Sequence, residues 1–189
     1  MDELKHINPR EYQKAIVETT KDYNTLVVLP TGIGKTLIAL MLSIDRIKKF
    51  PGKKILILAP TRPLVEQHLD SFKKQLPELF AELDMFTGTI NASKRMQVWK
   101  NAEIIFSTPQ CIANDVRKGL YNLEEVSLLV IDEAHRCLKN YDYTYVASVY
   151  KEQSKNQRII GLTASPGSDK EKVTQICKNL DIEKLEIRT

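Results

Sequence analysis

VVLPTGIGKT, residues 27–36, sets a short apolar run directly against two glycines, a lysine and a threonine. A buried strand that ends at Leu29 must turn sharply through Pro30, Thr31, Gly32, Ile33 and Gly34. A helix over residues 35–49 then opens with Lys35 and Thr36 in its first turn. The start of a helix carries unpaired backbone N–H groups and partial positive charge, a setting that suits a phosphate. The glycines let the backbone approach phosphate oxygens closely. Lys35 then reaches the β- and γ-phosphates, and the Thr36 hydroxyl is placed to ligate Mg²⁺. The stretch matches the second half of the phosphate-loop pattern G-x-x-x-x-G-K-[ST], but Leu29 stands where the pattern begins with glycine.

Outward from this turn, apolar runs alternate with helical patterns. Strands are expected at 25–29, 54–59, 83–87, 103–107, 128–131 and 158–162, and helices at 35–49, 63–75, 92–100, 109–118 and 143–151. A first helix is expected at 9–21, with Asn8 as N-cap and Pro9 at its first position. Near-continuous aliphatic runs such as ILIL and LLVI mark strands buried on both faces, as in a parallel sheet covered by helices. The expected fold is α/β: a doubly wound parallel sheet with helices on both faces. In such sheets ligands bind beyond the carboxyl ends of the strands.

There a second motif emerges. LLVIDEAH, residues 128–135, runs an aliphatic strand straight into Asp132 and Glu133. Opposite a phosphate loop, Asp132 would hold Mg²⁺ and Glu133 would polarise the water that attacks the γ-phosphate.

A GKT loop followed by a D-E-A-H box resembles the first motor domain of a superfamily 2 DEAH-box helicase, a RecA-like fold. The other motifs stand in the family's order. Arg10, Glu11, Tyr12 and Gln13 resemble the adenine-recognition element, which implies base reading by Gln13 and a nucleotide contact by Arg10. Thr61 and Arg62 in APTRPL resemble motif Ia; Thr87 and Gly88 resemble the glycine-containing element; Thr108 and Pro109 resemble motif Ib. The resemblance implies that these loops touch the phosphodiester backbone of one strand, a grip that reads no bases. Thr163, Ala164 and Ser165 resemble motif III, implying a coupling element that meets the acidic box through His135.

LPTGIGKTLIA, LAPTRPLVEQH, STPQCIANDV, SLLVIDEAHR, NYDY and IGLTASPGS together look like the archaeal Hef and Fanconi anaemia M-type helicases, over essentially the whole chain. This implies an ATP- and Mg²⁺-dependent hydrolase whose partner is forked, branched or single-stranded DNA. Dicer and RIG-I-like helicases share the architecture, so duplex RNA is the competing substrate. A nucleotide-switched nucleic-acid binding module without turnover is a second reading, and Glu133 speaks against it. A small-molecule phosphotransferase shares the loop but leaves the Ia, Ib and TAS elements without a purpose.

Composition sets bounds. At 189 residues, 42% apolar and 28% charged, the chain reads as one soluble domain with its own core. No stretch reaches the roughly 20 apolar residues that span a bilayer, and the charged N-terminus is unlike a secretory signal. The three cysteines have no metal-type spacing and suit a reducing, cytoplasmic setting. A net charge of +4 does not by itself indicate nucleic acid. A motor of this type needs a second domain, which supplies arginines to the transferring phosphoryl group. Residues 1–189 are read as one domain without that second lobe, and weak hydrolysis is expected from them alone.

Overall fold

A computed structural model describes residues 4–30, 32–77, 80–165 and 169–189. Seven parallel strands form one sheet: β1 (Thr25–Val28), β2 (Lys54–Leu58), β3 (Leu83–Met85), β4 (Ile104–Ser107), β5 (Val126–Asp132), β6 (Ile159–Thr163) and β7 (Lys184–Ile187). Their spatial order is β3-β4-β2-β5-β6-β1-β7. Among the described residues seven α-helices connect or flank them: α1 (Glu11–Asp22), α2 (Gly32–Lys49), α3 (Arg62–Gln75), α4 (Ala92–Asn101), α5 (Pro109–Arg117), α6 (Tyr141–Gln153) and α7 (Lys170–Asn179).

Strand side chains alternate between faces, and the core divides accordingly. Ile55, Ile57, Ile104, Phe106, Leu128 and Val130 pack with Ile16 of α1, Ile38 of α2 and Phe72 of α3. Their neighbours in sequence, Leu56, Leu58, Ile105, Leu129 and Ile131, point the other way. They meet Trp99 of α4, Ile112 of α5, Tyr150 of α6 and Ile176 of α7. Every residue of β1 and β5 is buried, as the aliphatic runs predict for a sheet covered on both sides.

The six expected strands and the later helices are present, with ends shifted by a few residues. Two expectations need correction. The first helix begins at Glu11 with Arg10 as N-cap, so Asn8 and Pro9 lie before it. Gln13 decides this: its Oε1 accepts the Arg10 N–H at 2.8 Å, the return bond of a capping box. In addition, α7 and β7 were not expected. β7 is an edge strand of four residues, mostly exposed, so it lacks the aliphatic signature of the interior strands.

A polar cluster ties α4 to α5. The Arg95 guanidinium donates two 2.8 Å bonds to the Asp115 carboxylate and another to the Ile90 carbonyl oxygen. The Tyr121 hydroxyl donates to Asp115 at 2.9 Å, and its ring stacks on Trp99 at 4.1 Å. The Asp115 side chain is 2% exposed, so these partners stand where water would otherwise solvate it.

Two stability measurements check this packing. Asp115→Ala strands the Arg95 charge and should lower unfolding free energy by about 3–5 kcal/mol in chemical denaturation. At Gly161 in β6, an added Cβ would stand 3.0 Å from both Ala134 Cβ and Leu26 Cδ1. Gly161→Ala should therefore cost about 1–3 kcal/mol as overpacking.

Candidate functional site

Register places the motif residues side by side. β6 lies between β5 and β1, with Asp132 opposite Leu162 and Thr163 opposite Val28. The loop after β1, the acidic box after β5 and the Thr163 segment after β6 therefore leave the sheet at one level of its carboxyl edge.

Lys35 is buried in the first turns of α2, and its Nζ donates to the Leu29 carbonyl oxygen at 3.3 Å. Gly32, Ile33 and Gly34 supply the helix's opening backbone; Thr31 lies outside the described residues. Lys35, Thr36, Asp132 and Glu133 line one cleft of about 250 Å³, along with His68, Gln67 and Leu64. The ammonium, the hydroxyl and both carboxylates thus share one concavity. No arginine lines it among the described residues.

Glu133 adopts the left-handed conformation, with φ of 54°, which is uncommon for a residue carrying a Cβ. This turns the chain from β5 into a 3₁₀ turn, Ala134–Leu138. The Asp132 carboxylate holds the turn by accepting the Glu133 N–H at 2.9 Å. His135 follows, its Nε2 3.2 Å from Glu133 Oε2 and its Nδ1 3.0 Å from Thr163 Oγ1. His135 thus touches both Glu133 and Thr163. Ser165 joins through its main chain: its carbonyl oxygen lies 2.9 Å from Thr163 Oγ1 and its N–H 3.3 Å.

Arg10 and Gln13 sit differently. Arg10 and Tyr12 line a separate hollow of about 490 Å³ with Leu29, Pro30, Ile187, Arg188 and Thr189. The tail after β7 reaches this place because the Arg188 N–H donates to the Val28 carbonyl oxygen at 3.0 Å. Gln13 is buried and holds the start of α1, so it is not a solvated helix position.

The remaining candidates lie beyond β2, β3 and β4, the adjacent strands on the other half of the same edge. Thr61 caps α3 by accepting the Leu64 N–H, and Thr108 caps α5 by accepting the Cys111 N–H, both at 3.4 Å. Each hydroxyl still has its proton to donate. Arg62 is exposed and pairs with Glu66 at 3.1 Å. Gly88 is exposed, and a Cβ built there meets nothing within 4 Å. Pro109 is buried at the first position of α5, so its ring packs inward instead of facing a ligand.

His68 was missed by sequence reasoning. It is 5% exposed on α3, with Nε2 2.8 Å from Asp132 Oδ2 and Nδ1 3.4 Å from Thr36 Oγ1. Its signal was a histidine on the buried face of an amphipathic helix, shared with Val65, Leu69 and Phe72.

The donor set also bears on the metal. Among the described residues no group of three or more His, Cys, Asp or Glu side chains could hold an ion. One hydroxyl and one carboxylate beside a polyphosphate pocket fit Mg²⁺, which usually keeps several waters and binds through one or two carboxylates and substrate phosphates.

The DEAD/DEAH box helicase profile matches residues 10–173 of this chain. A Methanocaldococcus jannaschii protein named as the ATP-dependent RNA helicase MJ1505 is 43% identical over 185 residues, which cover 98% of this chain and 23% of that protein. The ATP-dependent DNA helicase MPH1 of Candida albicans is 41% identical over 180 residues, covering 95% of this chain and 15% of its own length. The crystal structure of the Pyrococcus furiosus Hef helicase domain matches with a TM-score of 0.90 at 48% identity, covering 95% of this chain and 38% of that one. The chain thus spans less than a quarter of either relative. With the profile running across most of its length and the RecA-like sheet in place, the chain belongs to the DEAD/DEAH box helicase family.

Proposed function

We propose that this chain is the ATP- and Mg²⁺-binding first motor domain of a longer DNA helicase or translocase that remodels forked or branched DNA in repair. The observation that carries this reading is the convergence of Lys35, Thr36, Asp132 and Glu133 in one cleft. Lys35 exchanges its bond to the Leu29 carbonyl for the β- and γ-phosphate oxygens, a stronger charge-assisted contact. Backbone N–H groups from Gly32 to Gly34 at the start of α2 face the same phosphates. Thr36 and Asp132 hold Mg²⁺, which neutralises charge on the phosphates when bound. Glu133 takes the proton of the attacking water. Arg10 and Gln13 border the base, the Gln13 amide group offering N–H donors to an adenine ring.

Residues 1–189 form one functional unit in this reading, completed by a second motor domain of the parent protein. Support comes from the absence of arginine among the described cleft-lining residues, since phosphoryl transfer in such motors draws on an arginine. Thr61, Arg62, Gly88 and Thr108 lie along the nucleic-acid strand, and His135, Thr163 and Ser165 couple that track to the acidic box. We favour DNA because MPH1 carries that substrate in its name. Duplex RNA is the second reading, favoured by the name of the Methanocaldococcus relative. No helix among the described residues is long and apolar enough to cross a membrane. The free thiols of Cys111, Cys137 and Cys177 support a cytoplasmic setting.

Calorimetric titration of this chain with ATP and Mg²⁺ should show binding, and Lys35→Ala should weaken it roughly ten- to hundredfold. In a chain carrying both motor domains, Glu133→Gln should retain nucleotide but lower turnover by about 10²-fold or more. Unchanged hydrolysis would remove Glu133 as the base. Tighter binding to duplex RNA than to forked, four-way or single-stranded DNA would move the substrate assignment to RNA.

A further inference from the structure

His68 touches both side chains assigned to the metal, yet it belongs to neither the phosphate loop nor the acidic box. The Asp132 carboxylate only accepts, so the Nε2 facing it at 2.8 Å carries a hydrogen and donates. Nδ1 stands 3.4 Å from Thr36 Oγ1, and a ring carrying its hydrogen on Nε2 offers an acceptor there. The ring also fixes the Asp132 carboxylate plane from one side, while the Glu133 N–H fixes it from the other at 2.9 Å. The imidazole is locked in turn, since it is 5% exposed on the packed face of α3.

We infer that His68 is a positioning residue for Mg²⁺, orienting the Thr36 hydroxyl and the Asp132 carboxylate together through the two nitrogens of one ring. The inference rests on the nucleotide-site reading above. A single ring couples one ligand at the end of β5 to another in the first turns of α2, and Asp132 and Thr36 enter the site already aimed. Partners of this kind typically contribute ten- to hundredfold to metal affinity.

The test uses the 189-residue chain and a non-hydrolysable ATP analogue. Its binding is followed by fluorescence with chelator present and across a Mg²⁺ titration. His68→Ala should weaken Mg²⁺ binding to the nucleotide complex about tenfold or more, while metal-free nucleotide affinity stays within about twofold. His68→Gln, whose amide can donate to Asp132 and accept from Thr36, should recover most of the metal affinity. A longer-range ¹H–¹⁵N spectrum of the wild-type chain should show the His68 ring protonated on Nε2 alone, before and after addition of Mg²⁺ and the analogue. That spectrum decides the matter should His68→Ala fail to fold. Metal affinity unmoved in His68→Ala overturns the inference, as does a Gln variant no better than Ala. A ring protonated on Nδ1 alone would overturn it too. No binding of Mg²⁺-nucleotide by the wild-type chain would instead sink the nucleotide-site reading, and the inference with it.

Discussion

The parallel register of β5, β6 and β1 is the constraint on which the site depends. Side-chain period along a strand is two, so a slip of one residue would turn Asp132 or Thr163 to the opposite face. The pairing of Asp132 with Leu162, and of Thr163 with Val28, brings three loops from distant parts of the sequence to one level. Burial holds this register. β5 is covered on both faces by aliphatic residues that fit only one way against two helical layers.

The same edge is divided by strand order. The phosphate-loop and acidic-box residues follow β1 and β5, and the Thr163 segment follows β6, while the candidate strand-gripping loops follow β2, β3 and β4 on the other half. Helix α3 spans the division. It starts at Thr61 and Arg62, and by two turns further on it presents His68 to Asp132 and Thr36. At a rise of about 1.5 Å per residue, roughly 10 Å of stiff helix separates the two points. A second connection runs through Glu133, His135 and Thr163, within a turn whose left-handed residue is held by local bonds.

Several polar residues that hold the structure keep hydrogen-bonding groups that a ligand could use. Thr61 and Thr108 satisfy helix N–H groups, yet each hydroxyl retains a proton to donate. Gln13 closes the α1 cap with its carbonyl oxygen and keeps its amide hydrogens. Capping and a ligand contact are compatible at these positions, because a hydroxyl or carboxamide has more than one hydrogen-bonding site.

The sequence alone determined the sheet, its parallel strands and the identity of the phosphate and acidic loops. These follow from local composition: aliphatic runs such as KILIL and SLLVI, and the spacing of glycine, lysine, threonine and paired acids. α7 was also legible, since Val173, Ile176, Cys177 and Leu180 recur at helical spacing behind the cap Asp169. β7 left no comparable trace, because an exposed edge strand needs no aliphatic run. Only the tertiary structure decided that Gln13 closes a cap, that Pro109 turns inward and that the chain's tail borders Arg10. It alone brought His68 to Asp132, 64 residues away. Residue type and spacing fix which chemistry a loop can offer. Which side chains meet there depends on the packing of elements far apart in sequence.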